Sequence, residues 1–151
     1  AAFLGDAPLA RLSPLLSAKE ALAGKIVAFY FSAHWCPPCR RFTKILKQFY
    51  EESKTLSSDF EVVFVSSDRS ESEMKEYLAI QGDWLYLPFG HPAASQLSRR
   101  FSVGGIPSVV VVGMHGDVIE TGARAIIENR ESTSAVLRQW LPDSSLLVTS
   151  L

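Results

Sequence analysis

Ile26-Val27-Ala28-Phe29-Tyr30-Phe31, followed shortly by Trp35-Cys36-Pro37-Pro38-Cys39, is the stretch on which the reading of this chain turns. The first run is apolar and aromatic without a break, the pattern of a strand buried on both faces. The second holds the only two cysteines, three positions apart. Beyond it Phe42, Ile45, Leu46, Phe49 and Tyr50 recur at three- and four-residue steps, with Arg41, Lys44, Lys47, Glu51 and Glu52 between them. That spacing predicts an amphipathic helix from Pro37 to about Ser53. The cysteines therefore fall where a strand gives way to a helix, the arrangement of a dithiol/disulfide redox centre.

Working outward, Phe60 to Ser66 reads as a second core strand, and Ser70 with Glu73 has the capping-box pattern before a helix through Leu78. Strand, helix, strand, helix is the α/β signature. Leu12 to Leu22 reads as irregular or short helical structure ending in a turn at Gly24-Lys25. Gly82 to Pro92 is a looser section holding Trp84, Tyr86 and Phe89, ahead of a short helix around Ala94 to Arg100. Ser108 to Val112 and Val118 to Glu120, joined by Gly113-Met114-His115-Gly116-Asp117, read as a β-hairpin. A last helix near Ser132 to Leu141 packs through Val136, Leu137 and Trp140. With 151 residues, 47% of them hydrophobic, the chain is expected to be one α/β domain over 1–151, its core at about 25–141.

A formal net charge of -1 leaves no basic footprint for nucleic acid or anionic membrane, so neither is expected as a direct partner. The opening Ala1-Ala2-Phe3-Leu4-Gly5-Asp6 lacks the basic stretch and apolar core of a secretory signal, and no apolar run reaches membrane-spanning length. The expectation is a soluble cytoplasmic protein, with the nucleus as a second location. The missing initiator Met leaves room for a trimmed or processed chain.

Thiol exchange needs a thiolate, because the ionised sulfur is the nucleophile. Cys36, just ahead of the helix, faces its unpaired amide hydrogens and the positive end of its dipole. Pro37 and Pro38 suit the first helical positions, where an N–H lacks an intrahelical partner anyway, and they stiffen the loop that holds the sulfurs. Cys36 is expected to be the exposed attacking thiol, and Cys39, one turn into the helix, the buried resolving thiol. Half a zinc site is the competing use of the pair. A structural zinc needs four ligands, and His34, His91 and His115 supply no second pair, so no metal is expected. Pro107, after Gly104-Gly105-Ile106 and before a strand, marks that strand's first residue, with a cis Ile106-Pro107 bond compatible with the position.

With these elements placed, the chain resembles the thioredoxin superfamily, and within it the nucleoredoxin and tryparedoxin branch. The resemblance rests on Tyr30 to Arg40, Phe60 to Ser70, Trp84-Leu85-Tyr86-Leu87-Pro88-Phe89 and Gly105-Ile106-Pro107-Ser108, and it covers about Lys25 to Arg124. It implies a thioredoxin-like fold, a central mixed β-sheet with helices on both faces. It also implies a cis-proline facing the cysteines, matched by Pro107, and a preceding residue, Ile106, whose backbone pairs with the substrate chain. Trp-Cys-Pro-Pro-Cys and the Trp84 to Phe89 segment are typical of this branch; ordinary thioredoxins usually carry Trp-Cys-Gly-Pro-Cys and a shorter insert. Phe64-Val65-Ser66-Ser67-Asp68-Arg69-Ser70 looks more like nucleoredoxin. Tryparedoxins typically have Trp and Glu where this chain has Ser67 and Arg69, on a surface that handles a glutathione-spermidine conjugate. Arg124 matches an arginine common to the branch, so both affinities stay open. Thioredoxins place a buried Asp six residues before the first cysteine, where this chain has Tyr30, a poor base at neutral pH.

The resemblance implies a thiol-disulfide oxidoreductase, mainly a reductase of protein disulfides, with no bound cofactor. Electrons would come from a separate NADPH-dependent reductase or a low-molecular-weight thiol; Gly104-Gly105 precedes a proline and a strand, which is the wrong context for a dinucleotide loop. Two alternatives stand beside it, a tryparedoxin-like carrier from a small dithiol to peroxidases and a redox-dependent regulator that binds signalling or transcription proteins. Trp35 is expected as an apolar landing surface beside the nucleophile. His34, Arg40, Asp68 and Arg69 are further candidates for tuning or recognition, each with a plain reading as a solvated or ion-paired side chain.

Overall fold

The computed structural model describes residues 8–10, 15–17 and 21–147. Its sheet is built on β3 (Ile26–Ser32) and β4 (Phe60–Ser66), parallel and in register from Ile26 opposite Phe60 to Ser32 opposite Ser66. Both are buried along nearly their whole length, as the unbroken apolar run of β3 and the largely apolar run of β4 require. Among the described residues seven strands lie in the order β2-β1-β5-β4-β3-β6-β7, with β1 (Pro8–Ala10), β2 (Leu15–Ser17), β5 (Leu85–Tyr86), β6 (Ser108–Val112) and β7 (Val118–Glu120). β5 runs parallel to β4, whereas β6 is antiparallel to β3 and to β7, so the sheet is mixed.

The alternation of side chains along the strands sends one set to each face. Ala28, Tyr30, Val62, Phe64, Val109 and Val111 pack under α1 (Pro37–Leu56), α2 (Glu71–Leu78), α4 (Ala123–Glu128) and α5 (Thr133–Trp140). Val27, Phe29, Phe31, Val63, Val65 and Val110 pack against Ala93 and Leu97 of α3 (Ala93–Arg100) and against Phe101. Helices on both faces of a mixed sheet are what the sequence led us to expect. At the N-terminal end of the parallel strands, Glu61 is fully buried and held by the Tyr50 hydroxyl at 2.7 Å and by Lys54 Nζ at 3.4 Å. That charge lies at the opposite end of the sheet from the cysteines.

Five elements differ from expectation, β1 among them, since no strand was expected over Pro8–Ala10. The helix beginning at Pro37 runs to Leu56, three residues past the expected end. The section expected to be loose contains β5, a strand of only two residues. The six-residue helix α4 was not expected, and it has no side-chain cap to announce it. β2 falls inside the stretch read as irregular or short helical structure, and the remainder of that stretch before Ala21 lies outside the described residues.

Candidate active site

The C-terminal end of β3 delivers the chain through Ser32, Ala33, His34 and Trp35 to the start of α1, and Cys36 is the N-cap. Its sulfur accepts the Cys39 N–H at 3.3 Å, while the Arg40 N–H reaches the Cys36 carbonyl at 3.1 Å. Pro37 and Pro38 occupy the first two helical positions and have no N–H. The Cys39 amide is therefore the first helical donor, and it points at the Cys36 sulfur. Ile106 packs against Ala33, Cys36 and Cys39, its carbonyl lies 4.0 Å from Cys36 Sγ, and the Ile106-Pro107 peptide is cis.

Both cysteines are free thiols. Cys36 is only 6% exposed and Cys39 is fully enclosed. Cys36 was expected to be exposed and is instead buried, only marginally more accessible than Cys39, with Ile106 packed against it. Burial, and after it the neighbouring Cys36 thiol, push the Cys39 thiol up to about 11. Ser32 and the Ala33 backbone oppose that shift by hydrogen bonding.

Trp35, just before Cys36 in the chain, is 40% exposed. It is fixed in place by its indole N–H to the Ser67 carbonyl at 3.1 Å and by the Arg69 guanidinium over its ring at 4.6 Å. Asp68 is buried and does not pair with Arg69. It accepts the His34 backbone N–H and the Ser66 hydroxyl, each at 2.7 Å, and so ties the loop before Cys36 to the end of β4. His34 stacks on Tyr77 and its Nδ1 lies 3.9 Å from Glu76. Arg40 donates from its guanidinium to the His34 carbonyl. Arg124 is not part of this group. It pairs with Glu128 at 3.1 Å and lines an open groove that Arg100, Ile106 and Pro107 also line.

Tyr30 is fully buried within a set of hydroxyls formed with Ser32, Thr43 and Tyr77, directly under the Cys39 carbonyl. Burial is the first cause that raises both phenols, and for Tyr30 the charge of Tyr77 follows, so neither serves as a base near neutrality. Ser32, Thr43 and Tyr77 were not singled out from the sequence. They arrive from β3, α1 and α2, and each is an unremarked polar residue in an apolar pattern. Among the described residues no cluster of three or more His, Cys, Asp or Glu could hold a metal, and no helix is long and apolar enough to cross a membrane.

A family model described as thioredoxin-like matches residues 24–118. Over 106 residues the chain is 44% identical to probable nucleoredoxin 1 of Arabidopsis thaliana, covering 70% of this chain and 18% of that protein. The chain spans less than a third of the length of the nucleoredoxins it matches. A solved thioredoxin from Wuchereria bancrofti superposes with a TM-score of 0.80 at 40% identity, covering 89% of this chain and 94% of that one. Tryparedoxin II in complex with glutathionylspermidine superposes at 0.73 with 37% identity, covering 80% and 84%.

Proposed function

The chain belongs to the thioredoxin-like family, in its nucleoredoxin and tryparedoxin branch, and we propose that it is a thiol-disulfide oxidoreductase working mainly as a reductase of protein disulfides. The observation that supports this most is the convergence of the Cys39 amide and the Ile106 carbonyl on the Cys36 sulfur, with Cys39 directly beneath. In this reading Cys36 attacks the substrate disulfide and Cys39 resolves the mixed disulfide, leaving a Cys36–Cys39 disulfide and a reduced partner. Trp35, with Arg69 upon it, offers the partner chain an apolar and cationic landing surface, and the Ile106 backbone is placed to pair with an extended substrate segment. Asp68 and Arg40 act as positioning residues for the loop that holds Cys36.

Reducing equivalents come from a separate NADPH-dependent reductase or from a small thiol, and the tryparedoxin solved with glutathionylspermidine favours the second. Arg124, in the groove past Pro107, is then the candidate for holding an anionic end of such a thiol. We take residues 1–151 as one domain, working in the cytoplasm and nucleus, compartments that keep thiols reduced. Nucleoredoxin-like redox-gated binding of regulatory proteins is the second reading, supported by the match to parts of much longer proteins.

Insulin disulfide reduction with dithiothreitol as donor tests the proposal, comparing wild type with Cys36→Ser and Cys39→Ser. Turnover in the wild type and its loss in both variants are expected. Equal, negligible rates in all three would refute a general reductase and shift the weight to redox-gated binding.

A further inference from the structure

The start of α1 carries charges of the wrong sign for a helix N-terminus. Arg40 and Arg41 stand there, no acidic residue lies in the first turn, and Lys44 follows three and four residues on. Cations at that end oppose the helix dipole, and like charges at those spacings repel one another. The fold gains nothing from the set. Arg40 spends its guanidinium on the His34 carbonyl, but Arg41 and Lys44 are exposed and have no hydrogen bond or ion pair among the described residues.

Pro37, Arg40, Arg41 and Lys44 fall at helical steps of three and four, so they share one face of α1. Across from that face stands Ile80, just past the end of α2 and 53% exposed, and together they line an open groove of about 420 Å³. Its walls are apolar at Pro37 and Ile80 and cationic between them. No carboxylate lines it among the described residues, because the acidic side chains of α2 nearest this loop are engaged elsewhere: Glu76 lies 3.9 Å from His34 Nδ1, and Glu73 accepts the Arg69 N–H. The groove begins beside the attacking sulfur, since Pro37 is the residue after Cys36. Lys44, seven residues further, lies about 10 Å along the helix axis, a length that three or four extended residues of another chain span.

We propose that this groove docks the substrate protein, and that its occupant is an acidic segment with one apolar side chain, within about four residues of the disulfide cysteine that Cys36 attacks. The proposal deepens the reductase reading above and rests on it. Carboxylates of the segment meet Arg41 and Lys44, its apolar side chain covers Pro37 and Ile80, and the disulfide is left over Cys36. Trp35 and Ile106 receive any segment that carries a disulfide. The groove distinguishes one segment from another, favouring Asp or Glu beside the cysteine over neutral or basic neighbours.

The test uses the reduced full chain and two disulfide-bonded peptides that differ only in carrying two Glu or two Gln beside the cysteine, with the second-order rate of reduction as readout. At low ionic strength the wild type is expected to prefer the acidic peptide about tenfold, the order expected of two exposed ion pairs. Salt at about 0.5 M should bring that preference to within about twofold, a check that needs no variant. The double variant Arg41→Glu, Lys44→Glu is expected to lose or reverse the preference, and Ile80→Ser to slow both peptides about threefold. Both variants should reduce hydroxyethyl disulfide, which is small and uncharged, within about twofold of wild type. Equal wild-type rates on the two peptides, or a preference that survives the double substitution, would overturn the proposal and leave the reductase reading intact. So would a loss on hydroxyethyl disulfide as large as that on the acidic peptide, because the cations would then be acting on the Cys36 sulfur and not on a partner. A wild type that reduces none of the three disulfides would remove the reductase reading, and the proposal with it.

Discussion

The Cys39 thiol can be read directly by its reaction with dithiodipyridine in the Cys36→Ser variant. Burial is the first cause of its raised pKa and remains when Cys36 is replaced. In the wild-type protein the thiol moves from its ordinary 9.0 to about 11, and the variant keeps the burial but loses the share of the rise that comes from Cys36, so at pH 8 its thiolate fraction falls from about one in ten to no lower than about one in a thousand. That is at most a roughly hundredfold loss of the reacting form. A thiolate of higher pKa is also the better nucleophile, by a factor of about six to ten for two pH units. The net expectation is a rate below that of the same cysteine in the urea-unfolded chain, by up to about fifteenfold from ionisation alone, with any steric shielding slowing it further. The logarithm of the rate should climb with near-unit slope from pH 7 to pH 9 without levelling. A plateau at or below pH 9, or a rate equal to that of the unfolded chain, would refute the argument that burial governs this sulfur.

The same shift links stability to pH. Cys39 in the folded state holds its proton to higher pH than in the unfolded state, so its contribution is fully present below about pH 9 and is lost as pH rises towards about 11. Urea titrations of the reduced protein should lose about 2–3 kcal/mol over that window from this group, and the oxidised protein should lack that loss; Tyr30 and Tyr77 add loss of the same sign in both forms above pH 10. Gly82→Ala should cost about 1–3 kcal/mol by urea denaturation, because an added Cβ would stand 2.4 Å from Cζ3 of buried Trp84; an unchanged midpoint would contradict the tight packing described there. Trp35→Ala should lower kcat/KM for protein disulfides about tenfold while leaving reaction with a small disulfide within about twofold, and equal losses on both would contradict a landing role.

What could be read from the sequence followed how local the determinants are. The unbroken apolar run of β3 and the largely apolar run of β4 located both strands, because burial on both faces needs no pairing information. The three- and four-residue spacing after Pro37 located α1, and the Ser70 cap located α2 to the residue. β5 and α4 escaped because two and six residues are too few to show a period, and α4 has no cap side chain.

The positions of Cys36 and Cys39 were equally local, set by one strand and one helix start. The low exposure of Cys36 was not, because it depends on Ile106, seventy residues away in the chain. The hydroxyl cluster is the extreme case. Its members lie on three separate elements, Ser32 closes an apolar strand, and Thr43 and Tyr77 each fill one position in an amphipathic helix. Tyr30 was recognised as a poor base where thioredoxins have a carboxylate, but its partners became visible only once β3, α1 and α2 were packed. Asp68 and Arg69 were noticed together and have separate tasks, one holding the His34 amide and the other covering Trp35.

The central claim is the division of labour between the two thiols. It is tested most directly by mixing Cys36→Ser and Cys39→Ser proteins separately with a disulfide-bonded protein substrate and locating the adduct by mass spectrometry. The account expects a stable mixed disulfide on Cys36 in the Cys39→Ser protein and essentially none on Cys39 in the other. A predominant adduct on Cys39, or comparable adducts on both, would contradict it.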